Sequence, residues 1–149
     1  MSPHNVLILP GWLNSGPEHW QSRWERDYGY TRVEQHDWQR PLRGDWIARL
    51  EDVLLSCTEP AVLVAHSLGC LTVAAWAAHS KNTYLVKAAL LVAPPDTDRE
   101  DIAQMLPGWV LPLKSCRSKP WCLRQATTRF AHILERGSSL QPGARLSRL

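Results

Sequence analysis

Three continuous apolar runs constrain the fold of this chain more than any other feature of its sequence. They are residues 5–9 (NVLIL), 61–65 (AVLVA) and 86–94 (VKAALLVAP), and a proline precedes or follows each of them. Runs of this kind are typical of strands buried on both faces of a parallel sheet, whereas half-exposed strands alternate in polarity. Residues 31–38 (TRVEQHDW) do alternate, and they are predicted to form a further strand.

Segments with helical periodicity separate these strands. Pro17 stands where a first helical residue is expected, ahead of aromatic residues at helical spacing. Residues 44–57 carry an apolar stripe, with Asp45 as the expected N-cap. Residues 68–80 are apolar nearly all round, which indicates a buried helix, and residues 98–106 predict a short helix. This alternation predicts an α/β fold with a parallel sheet covered by helices on both faces.

The composition favours one ordinary globular protein over other classes. Of 149 residues, 44% are hydrophobic, which is enough for a core and argues against global disorder. The four cysteines show no C-x-x-C spacing and there is no H-E-x-x-H motif, so we predict no metal and no cofactor. No apolar run reaches the roughly 20 residues of a membrane span, and the first residues do not resemble a signal peptide. We therefore expect a soluble cytoplasmic protein with reduced thiols and no membrane partner, of undetermined oligomeric state.

Ser67 is the main candidate for chemistry. It lies between the strand 61–65 and the helix 68–80, in the sequence A-H-S-L-G. This is a variant of the G-x-S-x-G turn, whose strained backbone lifts a serine hydroxyl above a sheet while small residues let strand and helix approach. Gly69 supplies one small residue, and Ala65 replaces the first glycine. The alternative is an ordinary helix N-cap, but the strand–turn–helix context favours a nucleophile.

Two backbone amides are predicted to complete the site around Ser67. The amide of Leu68 lies at a helix N-terminus, where developing negative charge is favoured. The second donor is expected from the loop after the first strand, P-G-W-L, in which Gly11 forms the turn and Trp12 carries the amide.

Histidine candidates for a general base are less clear from the sequence. His66 adjoins Ser67 in the turn, but its side chain is expected to point elsewhere. His132 is the single histidine after residue 113 and is a further alternative. His4, His36 and His79 are interpreted as surface residues.

The tryptophans suggest an aromatic cleft, since eight tryptophans accompany a single phenylalanine. His19 and Trp20 in the first helix are candidate pocket residues. Trp12, Trp38 and Trp109 could join Trp20 in an apolar acyl pocket. The alternative for all of these side chains is an ordinary structural role in the core or on an amphipathic helix.

Three sequence blocks carry a family resemblance. V-L-I-L-P-G-W…H-W…W, V-L-V-A-H-S-L-G-C-L and A-A-L-L-V-A-P-P-D resemble the retinoblastoma-binding protein 9 or YdeN-like small serine hydrolases, over about residues 4–113. The resemblance implies a three-layer α/β-hydrolase-like fold, Ser67 as nucleophile and a small ester or amide substrate. In that family an Asp follows a later strand in a D-P-[FY] turn and a His follows in a G-H-I-N turn. Neither motif stands in this sequence.

The composition changes near residue 113. Residues 114–149 hold 8 Lys/Arg and a single acidic residue, Glu135, whereas residues 1–113 are net acidic. We expect an incomplete α/β-hydrolase core over 1–113, lacking the final strands and helix, and a poorly ordered basic tail without strands over 114–149. A shifted reading of the codons for residues 120–130 permits an apolar strand ending in D-P-F, so we interpret the tail as frameshifted and the chain as truncated.

Two other motifs are given little weight. Residues 11–16 (GWLNSG) have the glycine spacing of a phosphate loop, but the Lys-Ser/Thr that should follow is absent, so nucleotide binding is rejected. Residues 55–59 fit L-x-C-x-E, a pattern that binds retinoblastoma pocket proteins, at the end of a predicted helix. The basic tail has no nucleic-acid module, and no nucleic-acid partner is predicted.

Two classes of function therefore remain open. The first is a serine hydrolase acting on small esters or amides through Ser67, either active or left inactive because the usual Asp and His are missing. The second is a non-catalytic binding protein on the same scaffold.

Overall fold

The computed structural model describes residues 5–97, 99–109 and 132–135. In chain order, the elements are β1 (Val6–Leu9), α1 (Trp20–Tyr28), β2 (Thr31–Arg32), α2 (Arg43–Ser56), β3 (Ala61–His66), α3 (Leu68–His79), β4 (Val86–Val92), α4 (Glu100–Met105) and β5 (His132–Glu135). A single 3-10 turn, Thr83–Leu85, precedes β4. No helix among these residues is long and apolar enough to cross a membrane.

The strands form one sheet in the order β2-β1-β3-β4-β5. The first four are parallel, and β5 runs antiparallel to β4. The central strand β3 pairs Ala65 with Leu9 on one side and with Leu91 on the other. The carboxyl ends of β1, β3 and β4 therefore meet at one edge of the sheet, which is where ligands bind in open α/β sheets.

Helices cover both faces of the sheet, as the sequence predicts. Alternate strand residues such as Leu7, Leu63 and Ala65 pack with α2 and α3 in the larger core cluster. The intervening residues, Ile8 and Val64 among them, face the opposite side, where aromatic side chains of α1 cover them. The three-layer α/β prediction is thus confirmed.

Glu51 of α2 forms hydrogen bonds at the C-terminal end of α3. Its carboxylate accepts hydrogen bonds from the Trp76 indole, from Ser80 Oγ at 3.0 Å and from Asn82 Nδ2 at 2.6 Å. Burial alone would raise the pKa of Glu51, but these hydrogen bonds together lower it. This network stabilises the α2–α3 layer at a distance from the strand ends.

Several predicted boundaries are wrong. α1 begins at Trp20, with the His19 ring as its N-cap, and not at Pro17. α2 is capped by Leu42, which leaves Asp45 in its first turn. The second strand is only the pair Thr31–Arg32, because β2 is an edge strand whose regular pairing with β1 ends there, although the Val33 amide still donates to the Ile8 carbonyl.

The predicted absence of strands from the tail is also wrong. His132–Glu135 pairs with β4, in a register that places His132 opposite Leu91 and Glu135 opposite Ala88. A parallel edge left open is a template for a further strand, and this short segment occupies it. The rest of the predicted tail, including its boundary at residue 113, lies outside the described residues.

Gly69 allows α3 to approach β1 more closely than any side chain would permit. A Cβ atom placed on Gly69 would lie 2.3 Å from the Leu9 carbonyl oxygen and 3.0 Å from that of Pro10. Both neighbours are backbone atoms, so they cannot rotate away as a side chain would.

We predict that Gly69→Ala lowers the free energy of unfolding by about 1–3 kcal/mol or more, the usual cost of overpacking. Gly44→Ala is the matched control, because a Cβ there meets nothing within 4 Å and the position is helical. This control should stabilise the protein by up to about 1 kcal/mol. Urea unfolding of both variants measures the difference. A Gly69→Ala protein as stable as the wild type would contradict the close approach.

Candidate active site

Ser67 is the single residue between β3 and α3, and its backbone is strained. Its φ is 51° and its ψ is −118°, a conformation that residues other than glycine rarely adopt. The turn is fixed on both sides, because the Ser67 amide donates to the Val92 carbonyl and the Cys70 amide donates to the Ser67 carbonyl. Strain of this kind costs of order 1–3 kcal/mol and clusters at functional sites, so it motivates a functional hypothesis for Ser67.

Gly11 packs directly against the serine turn. A Cβ placed on Gly11 would lie 2.9 Å from Ser67 Cβ and 3.3 Å from the Leu68 amide nitrogen. The loop after β1 therefore contacts the start of α3, and only a glycine fits at the point of contact. The structure thus brings together the three sequence candidates Gly11, Ser67 and Leu68.

The loop that follows Gly11 turns sharply and leaves one amide unused. Leu13 and Asn14 both have positive φ, 65° and 67°. The Leu13 amide donates to the Trp38 carbonyl and the Asn14 amide donates to the Gly11 carbonyl. Between them, the Trp12 amide has no hydrogen-bond partner within the described part of the chain, and neither does the Leu68 amide. Amides without a partner at Leu68 and at the residue after Gly11 are the kind of donor that an oxyanion requires.

A buried polar residue that the sequence analysis missed, Gln21, lies beneath this loop. Its Nε2 atom donates to the carbonyls of Leu9 and Val64, at 3.1 and 3.0 Å, and its Oε1 atom accepts from Ser15 Oγ at 2.9 Å. No sequence pattern marks Gln21, because it is a polar residue beside the aromatic stripe of α1.

Arg32 of β2 fixes the same loop from the other side. Its guanidinium donates to Asn14 Oδ1 at 2.6 Å and to the Ser15 carbonyl at 3.1 Å. It also donates to Ser22 Oγ and forms an ion pair with Glu25 at 2.7 Å. An arginine in an alternating strand gives no sign from sequence alone that it will be largely buried.

His66 and His19 form a pair of rings beside the serine turn. Their centroids are 4.7 Å apart, and the Trp20 ring lies 6.1 Å from that of His66. Burial, and then the nearby charge of His19, lower the pKa of His66. Burial, and then the charge of Arg32, lower the pKa of His19. The His19 Nδ1 atom accepts a hydrogen bond from the backbone N–H of Gln21 at 3.2 Å. A neutral His19 therefore carries its proton on Nε2.

The four tryptophans suggested for an acyl pocket do not lie together. Trp109 is buried against the Trp46 ring at 5.6 Å, and its indole donates to the Pro41 carbonyl. Trp12 and Trp38 pack against the same cluster. Trp20, the first residue of α1, instead packs on the opposite face of the sheet. A single pocket lined by all four is therefore wrong.

No described side chain is hydrogen-bonded to the Ser67 hydroxyl. The rings of His19 and His66 pack on the α1 side, and no bond from either to Ser67 is formed in the described residues. Cys70, one turn into α3, is not a competing nucleophile, because burial raises the pKa of its thiol to about 12. Within the described residues there is also no group of three or more potential metal ligands.

The L-x-C-x-E match at residues 55–59 spans the end of α2. Leu55 is exposed, and Cys57 is partly buried against the larger core cluster with its amide bonded to the Leu54 carbonyl. The segment therefore closes a helix, and its cysteine has a structural role.

Comparison with known families identifies the class of protein. The profile of the family described as Serine hydrolase matches residues 6–114, and the chain belongs to this family. No curated protein matches the chain.

Solved structures narrow the relationship to YdeN-like hydrolases. A YdeN-like hydrolase from Pectobacterium atrosepticum is similar with a TM-score of 0.59 and 29% identity, over 68% of this chain and 55% of that one. The ydeN gene product of B. subtilis is similar in fold, with a TM-score of 0.53 and 23% identity, over 75% of this chain and 64% of that one. The chain thus spans less than two thirds of either relative. The α/β-hydrolase-like fold and the resemblance to YdeN-like hydrolases are confirmed. The resemblance to retinoblastoma-binding protein 9 and the frameshift remain predictions.

We predict that His66 titrates below its ordinary pKa of 6.5. Since the unfolded chain then binds more protons than the folded one, stability should fall as the pH drops from about 6.5 toward the folded pKa. His19→Asn keeps a capping side chain but removes a charge, so the pKa of His66 should rise while staying below 6.5, because burial is the larger cause. NMR titration of the imidazole signals measures both values. A His66 pKa at or above 6.5 in the wild type would contradict the burial of its ring.

Proposed function

We propose that this chain is a serine hydrolase in which Ser67 attacks the carbonyl carbon of a small ester or amide. The observation that carries the proposal is the strained Ser67 backbone at the β3–α3 turn, which has the form of a nucleophile elbow. The carbonyl oxygen becomes negatively charged as the tetrahedral intermediate forms. The amides of Trp12 and Leu68, which have no partner among the described residues, donate hydrogen bonds to that oxygen. The Ser67 proton passes to water, and the alcohol or amine leaves as the acyl-enzyme forms.

Membership of the Serine hydrolase family supports this chemistry, and the fold supports its location. The carboxyl ends of β1, β3 and β4 meet at the Ser67 edge, and Gly11 and Gly69 bring the loop and helix into contact there. A small-molecule substrate is proposed because the family is one of hydrolases. The cytoplasmic location predicted from the sequence is part of the same proposal.

Among the described residues, no side chain is placed to take the proton of the Ser67 hydroxyl. A serine hydroxyl needs a base, and the D-P-[FY] and G-H-I-N turns that supply the acid and base in the family do not stand in this sequence. His66 adjoins Ser67 but packs toward His19, and His132 is placed opposite Leu91, two strands from Ala65. With oxyanion assistance alone, hydrolases whose triads are removed retain roughly 10³–10⁴-fold acceleration over water. We expect acylation of that order.

A non-catalytic binding protein is the second candidate. It is favoured by one observation, namely that the Ser67 hydroxyl has no hydrogen-bonded base among the described residues. On this alternative the strained turn is retained as part of the scaffold, and the loop edge binds a ligand without cleaving it.

A fluorophosphonate probe separates the two candidates. The probe forms a covalent adduct with an activated serine, so the wild type should be labelled slowly and Ser67→Ala not at all. Ser56→Ala is the matched control, because Ser56 lies at the exposed end of α2 and should leave labelling unchanged. Intact-protein mass spectrometry measures the adduct. Folded wild-type protein that takes up no probe after prolonged incubation would overturn the hydrolase proposal and support the binding alternative.

A further inference from the structure

Gln21 connects the two strands that lead into the proposed site. It is wholly buried, and its Nε2 atom donates to a carbonyl of β1, that of Leu9, and to a carbonyl of β3, that of Val64. Leu9 is three residues before the oxyanion donor Trp12. Val64 is likewise three residues before Ser67. One side-chain amide therefore binds both strands, in each case three residues before the residue proposed to act in the site.

The remaining atom of the same amide holds the loop itself. Gln21 Oε1 accepts a hydrogen bond from Ser15 Oγ, at the end of the loop of residues 11–15. All the strong hydrogen-bonding groups of the side chain are engaged, and exchanging its oxygen and nitrogen would set an acceptor against two carbonyls. Its orientation is thus determined by its partners.

Arg32 and Gln21 form hydrogen bonds to different parts of the fold. Arg32 binds the loop and α1, through Asn14, the Ser15 carbonyl and Ser22, but in the described part of the chain it forms no hydrogen bond to β3. Gln21 is the side chain that binds the loop, β1 and β3 together.

We propose that Gln21 is a positioning residue, which sets the separation of the Trp12 and Leu68 amides by fixing β1, β3 and the loop to one another. This inference rests on the proposed function, since it concerns how the same oxyanion site is held. Gln21 touches no substrate. A misplacement of about 1 Å in such a site can cost on the order of 100-fold in rate, so the side chain that fixes the distance should affect reactivity beyond its effect on stability.

The test compares two substitutions that each remove a side chain hydrogen-bonded to three partner residues. Gln21→Met preserves the approximate shape and removes every donor and acceptor. Glu51→Met does the same for the network of α2 and α3, away from the strand ends. Both should lower the melting temperature. Per folded molecule, fluorophosphonate labelling should slow at least about 10-fold in Gln21→Met and stay within about 2-fold of the wild type in Glu51→Met.

Gln21→Glu provides a second variant if Gln21→Met does not fold. A carboxylate has no proton to donate to the Leu9 and Val64 carbonyls, whereas its protonated form donates to one of them. Burial raises the pKa of a carboxyl group, so protonation begins near neutral pH. The labelling rate of this variant relative to the wild type should therefore increase as the pH falls from about 8 to about 6. A purely structural role predicts no such recovery in the folded fraction.

Hydrogen exchange gives a readout that does not depend on Ser67 being reactive. In Gln21→Met, backbone amides within residues 9–15 and 64–70 should exchange faster than in the wild type, with no such change in Glu51→Met. If this occurs but wild-type Ser67 takes up no probe, the fixing of the loop, β1 and β3 by Gln21 is supported and the proposed function falls. If wild-type Ser67 is labelled and Gln21→Met is labelled equally fast, or if exchange in both segments is unchanged, the positioning inference is overturned.

Discussion

The contact between the start of α3 and the end of β1 is the constraint on which the rest of this structure depends. Gly69 of α3 lies against the Leu9 carbonyl, and Gly11 after β1 lies against Ser67. At neither glycine is there room for a methyl group. Backbone atoms take part in both contacts, so neither contact can be relieved by the rotation of a side chain. The strained φ of Ser67 persists because its neighbours hold it on both sides.

Much of this arrangement was predictable, for a specific reason. β1 and β3 are short apolar runs buried on two faces, a pattern with few other interpretations, and β4 is a similar run that is only partly buried. Ser67 was found because the turn after a buried strand requires small residues at fixed offsets, which the sequence displays directly. Gly11 and Leu68 follow from the same geometry once the first strand and the third helix are assigned.

The residues that hold the site were not predictable in the same way. Gln21 is buried because it reaches between two strands that are far apart in the sequence, and no local pattern records that the gap exists. Arg32 likewise gains its partners from α1 and from the loop. The His19 cap was overlooked because a proline three residues from the helix suggested a different start. The environment of such residues is set by long-range contacts and departs from what the local sequence pattern predicts, as is common in functional regions.

The direction of β5 has a consequence for any group that could complete the site. In a parallel strand the chain arrives at the Ser67 edge with its carboxyl end, and the loop that follows can extend over the serine. β5 runs the other way, beginning near that edge with His132 and ending opposite Ala88 with Glu135. The reversed direction leaves only the first residue of β5 near the Ser67 edge, and the rest of the strand leads the chain away from it.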